Sequence, residues 1–577
     1  MSGIAGVVHA DARPADAALV ARMAQALAHR GPDGEVCWVS GPVALAHRRL
    51  ASASAEDKPP LLDADGRALI ADGRLDEPLE RFRRRGAAFV DDALGEFAVA
   101  CWDAPARTLV AARDAFGVKP LYYHWDGRRL LFASEVGALF ADSSVPRRPD
   151  AATLADYLLM DFRDPGATFF EGVRRVPAGH VLSVGPRGLS LSRFWTPAGG
   201  TRRDRDDDHA GELAASFRAA VADRLADAPA AGVLLSGGID STLVAGVAGS
   251  LRGPLATLTY LHDGFLREDW GAISALRDAG AIAPPRTRTG LPLLDMLLAS
   301  TEPPNDEGHP VLPALLDPGV AAEFRVLLTG IGGDQLSSAG ERGALADRLR
   351  SGRVVSAWRE ASALAGAYGG VGARATVEAL WSALSPSVRR LGRTIARRDN
   401  PAWLLPRVAR LRRPPQESGV RFETAMAAAV WRALTAPTLA FALEKLDAEA
   451  ARLGVEPRHP YLDRRVVECV LAIPPEVVVH HGYRKQLIQR ALGGRLPLRA
   501  RESSAEYVPS LAGTPALRNE TEHVERLLFR GDARVFDYVD RAAVARMRDA
   551  HRTDGGCYGA RLTSFVMLEH WLRATFA

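Results

Sequence analysis

Short apolar runs separated by turn residues, such as "GIAGVV", "EFAVACW", "TLVAAR" and "RLLFAS", recur through residues 1 to about 195. Runs of that length bounded by turns predict strands, and one helical spacing, "DAALVARMAQALA", interrupts them, so this part predicts a β-rich domain with few helices. Residues 196–211, "TPAGGTRRDRDDDHAG", hold small, charged and turn-forming residues with nothing to bury, and predict a linker. From about 210 the texture changes. "GELAASFRAAVADRLADA" has helical spacing, "AGVLLSG" is a buried strand run, and the two patterns alternate to about residue 335. Alternation of that kind predicts a parallel α/β sheet. Beyond 340 the pattern is mostly helical, with no internal repeat and no long low-complexity tract.

Composition narrows the class. At 577 residues the chain exceeds what one hydrophobic core supports, so two or more domains are expected. With 47% hydrophobic and 25% charged residues it reads as globular. No apolar run is long enough to span a bilayer, and the start lacks the charged and apolar regions of a secretory signal, so the expectation is a cytoplasmic protein without a membrane segment. Cys37, Cys101, Cys469 and Cys557 form neither a disulfide framework nor a CxxC pair, which argues against structural zinc. A net charge of +4 over this length gives no case for nucleic-acid binding.

The chemistry concentrates in two glycine loops. In "VLLSGGIDSTLVAGVAGSL" (residues 233–251) a strand run leads through Leu235 and Ser236 to Gly237 and Gly238, and a helix then begins at Asp240, Ser241 and Thr242. Side-chain-free glycines let a pyrophosphate approach the backbone, while open N–H groups and the positive end of the helix dipole point at it. Asp240 is placed to hold Mg²⁺. Neither GxxxxGK[ST] nor GxGxxG is present, which sets aside a Walker A loop and a dinucleotide fingerprint. A second run, "VLLTGIGGDQLSSAG" (326–340), ends in Gly330, Ile331, Gly332 and Asp334. Asp240 and Asp334 could share Mg²⁺ and pyrophosphate at the carboxyl edge of one sheet. Taken singly, each is also explained as a turn or capping aspartate.

The first loop resembles the SGGxDS pyrophosphate loop of ATP pyrophosphatases. With "RGPDG", "AHRRL" and "LVAARDAFGVKPLYY…LLFASEVGAL" in front and "LTGIGGD" and "VEPRHPYLD" behind, the chain resembles the asparagine synthetase family along nearly its whole length. The resemblance implies an α/β protein: an amino-terminal-nucleophile αββα sandwich over 1–195, a linker over 196–211, and an ATP-pyrophosphatase-like parallel α/β sheet with a helical extension over 212–577. It also implies ATP, Mg²⁺, adenylation of a carboxylate and displacement of AMP by an amine. The first half departs from the family. Ser2 stands where the family has a cysteine nucleophile, Asp72-Gly73-Arg74 replaces Asn-Gly-Glu, and the segment that grips the glutamine amine is missing. A carboxylate at Asp72 repels a developing oxyanion, and Arg74 inverts the charge that would hold glutamine, so loss of glutaminase activity is expected. Ser2 as a surviving nucleophile is the alternative, and Arg49, which matches the family's glutamine-carboxylate arginine, reads as a leftover.

A synthetase without its own ammonia takes its amine from the substrate. Residues 388–415, "VRRLGRTIARRDNPAWLLPRVARLRRPP", and 568–573, "LEHWLR", resemble segments of lasso peptide cyclases. That resemblance implies a macrolactam synthetase that joins the amino terminus of a precursor (core) peptide to an internal Asp or Glu. It further implies a leader-binding protein and a leader peptidase in the same pathway. Three residues are candidates for the chemistry: Lys485 in "GYRKQLIQRAL" to neutralise phosphate charge or, alternatively, as an exposed helix lysine; Glu456 to orient groups near the adenylate or to pair with Arg458; and Arg501 or Lys485 in place of the lysine that the family carries after the "LP" of Leu496 and Pro497. The arginine-rich segment reads as a solvated helix face or as a surface for an acidic peptide. Competing classes are a β-lactam synthetase-like ligase, an asparagine synthetase fed by external ammonia, and a non-catalytic scaffold.

Overall fold

A computed structural model describes residues 2–50, 60–197, 208–261, 267–289, 293–304, 312, 316, 318–368, 401–416, 419–478, 485–493, 521–554 and 558–576. The amino-terminal half stacks two six-stranded sheets. One contains β1 (Gly3–His9), β2 (Glu35–Ser40), β3 (Val43–Arg48), β8 (Tyr122–Trp125), β9 (Arg129–Ala133) and β10 (Val173–Arg175), in the order β10-β8-β9-β1-β3-β2. The other contains β4 (Leu61–Leu62), β5 (Ala68–Gly73), β6 (Phe97–Asp103), β7 (Thr108–Arg113), β11 (His180–Gly185) and β12 (Gly188–Arg193), in the order β12-β11-β7-β6-β5-β4. Adjacent strands pair antiparallel wherever their register is given.

Strand β1 shows why the runs are apolar without interruption. Its side chains alternate faces, so Ile4 and Val8 meet Ile70, Ala100 and Leu182 between the sheets, while Ala5 and Val7 face outward. On that outer side they are covered by α1 (Ala17–Ala26), α3 (Val136–Leu139) and α4 (Ala151–Leu159). The far side of the second sheet, Leu69, Val99 and Val110, lies under Phe82 of α2 (Pro78–Arg85) and Phe89. The half is therefore a four-layer αββα sandwich, as the resemblance implied.

The second half is built on a five-stranded parallel sheet, ordered β15 (Arg286–Thr289), β14 (Ala256–Leu261), β13 (Ala231–Leu234), β16 (Val326–Leu328) and β17 (Glu456–Arg458). On one face Val233 and Leu328 meet α5 (His209–Leu225) and α6 (Ile239–Arg252) through Val221, Leu243 and Val247. On the other, Leu258 and Leu327 meet Phe324, Leu446 and Val455. Two details differ from the sequence expectation. Helix α5 starts at His209, inside the expected linker, because the Asp208 side chain accepts from Gly211 N at 2.8 Å and caps it. The edge strand β17, "EPR", lies well beyond residue 340, where a mostly helical pattern was expected. It has no apolar run because its side chains are buried as ion pairs.

One stretch among the described residues, Ala425–Arg452, is long and apolar enough to cross a membrane. It divides into helices Ala425–Leu434 and Pro437–Arg452, and it carries Glu444, Asp447 and Glu449 buried among arginines and lysines. It is a core element between the halves.

Candidate functional site

Strand β13 ends at Leu234, and the chain turns through Gly237, whose φ of +84° lies in the left-handed region that favours glycine. Gly238 caps α6 without any side-chain cap bond. Hydroxyls hold the turn instead: Ser236 N donates to Ser241 Oγ at 3.1 Å, the two serine Oγ atoms lie 3.0 Å apart, and Thr242 Oγ1 donates to Gly237 O at 3.2 Å. Leu235 is buried beneath. The loop thus combines a glycine backbone with a helix start, the arrangement that suits an anion.

Because β16 is the direct neighbour of β13, the second loop emerges beside the first at the same sheet edge. Glycines allow the two to touch. A Cβ on Gly330 would stand 2.8 Å from Ser241 N, and one on Gly333 only 2.3 Å from Asp240 Cγ. Gly332 adopts φ +99°, and Ile331 N donates to Thr329 Oγ1 at 3.2 Å. The Asp240 side chain therefore lies against the second loop and is 12% exposed, while that of Asp334 is 57% exposed.

Lys485 joins the two carboxylates, with Nζ 2.7 Å from Asp240 Oδ2 and 2.7 Å from Asp334 Oδ1. Its own backbone N–H donates to the Glu341 carboxylate, just ahead of the helix Gln486–Gly493. Burial alone would lower the lysine's pKa, but the two carboxylates outweigh it and hold the ammonium above the ordinary lysine range. Lys485 is buried, not an exposed helix lysine. Two carboxylates that converge on one cation are chemistry that suits Mg²⁺. Two carboxylates plus substrate phosphate oxygens are the usual Mg²⁺ set, and among the described residues no group of three His, Cys, Asp or Glu forms a separate metal cage. Tyr461, which sequence reasoning missed, supports the site through its hydroxyl, which donates to Asp240 O at 3.3 Å. Its only signal was its place in the quoted "VEPRHPYLD".

The amino-terminal centre is filled by charge. Ser2 N donates to Asp72 Oδ1 at 2.7 Å, and Arg30 Nη2 donates to Asp72 Oδ2 at 2.9 Å, both side chains being fully buried. Arg30 also meets Glu135 at 3.1 Å and Asp447 of the second half at 2.7 Å, and its Nε donates to Ser2 O at 2.9 Å. Burial pushes the Asp72 pKa up, yet Lys119 and Arg30 more than offset it, so the carboxylate stays ionised below its usual range. Nearby His47 is pushed down to about 4 by burial and is neutral. Arg74 turns away to the Asp223 carbonyl and to Asp227 at 3.7 Å. Arg49 lies apart, with Nη2 donating to Asp33 O at 3.5 Å.

The network continues across the halves. Asp114 accepts from Phe116 N, Val118 N and Lys119 N, winding the turn that delivers Lys119 Nζ to Glu456 at 2.9 Å. Glu456 pairs with Arg458 at 3.0 Å, and Arg458 with Asp227 at 2.6 Å. Against the cost of burial, Arg458 and Lys119 hold the Glu456 carboxyl well below its ordinary range. The structure therefore places Glu456 in the ionic seam between the halves. Arg501 lies outside the described residues. Of the arginine-rich segment, residues 401–415 are described, and these bind the amino-terminal half: Arg412 pairs with Asp156 at 2.7 Å and Arg413 with Asp150 at 2.6 Å.

A family model described as a glutamine amidotransferase domain matches residues 1–75 and 78–195, and one described as asparagine synthase matches 212–272 and 308–573. Similar curated proteins include the glutamine-hydrolyzing asparagine synthetase 3 of Bacillus subtilis, 30% identical over 255 residues, which are 39% of this chain and 42% of that protein. Asparagine synthetase 2 of the same organism is 28% identical, covering 47% of this chain and 41% of its own. "Amidase chry2" of Gibberella zeae is 33% identical, covering 39% and 38%. The matched stretches span less than half the length of each of these relatives.

Proposed function

The chain belongs to the asparagine synthase family, and from that premise we propose that it is an AMP-forming, ATP-dependent amide ligase without glutaminase activity, acting as a lasso peptide cyclase. Its substrate is a precursor (core) peptide, whose internal Asp or Glu side chain is adenylated and then attacked by the peptide's own amino terminus. A leader-binding protein and a leader peptidase would prepare that terminus. The observation that carries the reading is the contrast between the two centres: Asp72 is locked to Arg30 where glutamine would be activated, whereas Asp240, Asp334 and Lys485 converge beside the glycine loop. An ammonia-independent synthetase needs an amine on its substrate.

In the first step a substrate carboxylate oxygen bonds to the α-phosphorus of ATP and pyrophosphate leaves. The backbone of Gly237 and Gly238 binds the phosphates, and Asp240 and Asp334 would hold Mg²⁺, which when bound neutralises charge on the leaving pyrophosphate. Lys485, held as an ammonium, serves as fixed positive charge rather than as a base at neutral pH. In the second step the peptide amine bonds to the acyl carbon, AMP leaves, and the amine's proton passes to solvent. Holding the amine beside the activated carbonyl supplies roughly 7–11 kcal/mol of the barrier in favourable cases, so the chain's main work is positioning.

A second reading, asparagine formation from aspartate and free ammonia, is favoured by the similarity to asparagine synthetases. Incubation with ATP, Mg²⁺ and candidate precursor peptides, read as AMP and pyrophosphate release, separates the two. Peptide-dependent AMP supports the cyclase, and AMP that depends on aspartate and ammonia supports the alternative.

A further inference from the structure

A cavity of about 210 Å³ lies between the halves and shares no residue with the glycine loops. Tyr122, Phe170 and Arg175 line it from the amino-terminal half, and Phe441, Glu444 and Trp571 from the other. The Arg175 side chain is 1% exposed, and its guanidinium stacks 3.8 Å from the Phe441 ring centroid. Its Nη2 pairs with Glu444 Oε2 at 3.0 Å, but Nε and Nη1 have no hydrogen-bond partner. Leaving guanidinium N–H groups buried and unmet is costly, on the order of 1–3 kcal/mol or more.

The charges around it do not balance. The second oxygen of Glu444 faces Arg113 Nη2 at 3.0 Å, so two buried guanidinium groups share one carboxylate. Arg113 is otherwise committed to the carbonyls of Gly117, Lys119 and Val176. Of the remaining charged lining, Glu302 pairs with Arg452, Lys445 with Glu449, and Glu135 with Arg30 and His29, while the Arg147 guanidinium lies over the Phe140 ring. Positive charge is thus in excess, at Arg147 and at Arg175, the latter among the rings of Phe169, Phe170, Phe441 and Trp571. Apolar, aromatic walls with a few fixed polar groups are the composition of a small-molecule site. The volume equals about seven waters, the size of a phenyl-bearing acid.

We infer that this cavity is a second ligand site, which takes a monocarboxylate with an aromatic body: the carboxylate beside the Arg175 guanidinium, the ring against Phe441 and Trp571. The excess positive charge of Arg175 and Arg147 suits an anion, and the aromatic walls suit one that carries a ring. The site is independent of the amide-forming reading, and neither falls with the other.

Calorimetric titration of the full chain with 3-phenylpropionate and with its neutral amide is the test. The acid is expected to bind at least tenfold more tightly than the amide. Ala448→Leu, which adds bulk to the lining without touching a charge, and Arg175→Lys, which removes Nε and Nη1, should each weaken the acid at least tenfold. Asp240→Ala should bind it as wild type does. The tripeptide Gly-Gly-Phe distinguishes a free acid from a peptide terminus as the source, and a preference for either supports the site. No binding to wild type, equal affinity for acid and amide, or unchanged affinity in Ala448→Leu would overturn the inference.

Discussion

Replacing Arg30 by Met removes the cation that holds Asp72, Glu135 and Asp447 together. In the structure its guanidinium is fully buried and lies 2.9, 3.1 and 2.7 Å from those three carboxylates. Removing one partner of a buried pair costs about 3–5 kcal/mol, because the remaining charge is left uncompensated. Arg30→Met should lose that much in urea unfolding followed by tryptophan fluorescence. Asp72→Asn should lose only about 1–2 kcal/mol, since Arg30 keeps Glu135 and Asp447 and an amide can still accept from Ser2 N. In the double variant Asp72 no longer leaves a stranded charge, so its loss should fall short of the sum by more than about 1 kcal/mol. The pH dependence carries the same signature. Burial opposes ionisation of Glu135, but the hydrogen bond from His29 and the charge of Arg30 bring it from 4.5 to about 2. A depressed carboxylate stabilises the fold above its unfolded pKa and loses that contribution as pH falls toward its folded pKa. Roughly 3 kcal/mol should therefore disappear between pH 4.5 and 2 in wild type, and less in Arg30→Met. An Arg30→Met variant within about 1 kcal/mol of wild type, or an additive double variant, would refute the ionic-network account.

Asp240→Ala and Asp334→Ala should each lower AMP formation by more than about a hundredfold; the exposed Asp334 variant should melt as wild type does, whereas Asp240→Ala should lose about 1–2 kcal/mol because buried Lys485 keeps only Asp334, and near-normal turnover at saturating Mg²⁺ would show the cation site to be elsewhere. Gly333→Ala places a methyl 2.3 Å from Asp240 Cγ, so it should displace that carboxylate and reduce AMP formation roughly a hundredfold without a comparable loss of stability. Incubated with glutamine, the chain should release no glutamate above background. Release that falls on Ser2→Ala would restore Ser2 as a nucleophile.

Much of the glycine-loop centre was legible because it is local: a strand run, two glycines and a helix start occupy one short segment, and Asp240 and Asp334 repeat the pattern at adjacent strand ends. Lys485 was legible as a charge but not as a bridge, since its partners lie 245 and 151 residues away and only the sheet order brings them together. The ionic seam was harder still. Arg30 and Asp447, or Lys119 and Glu456, are hundreds of residues apart, and buried charges look like solvated ones in a sequence. For the same reason "EPR" gave no strand signal: periodicity reads apolar burial, and β17 is buried through ion pairs. Arg412 and Arg413 likewise read as a basic surface, whereas acidic residues of the other half neutralise them.

The claim that the amide-forming centre works on a peptide's own amine is tested most directly by mass analysis of a precursor peptide incubated with the chain, ATP and Mg²⁺, beside the same peptide acetylated at its amino terminus. The free peptide should lose one water mass with one AMP formed per ring, and the acetylated peptide should release AMP slowly without that loss. An unchanged mass for both peptides, together with asparagine formed from aspartate and ammonia, would contradict the cyclase account.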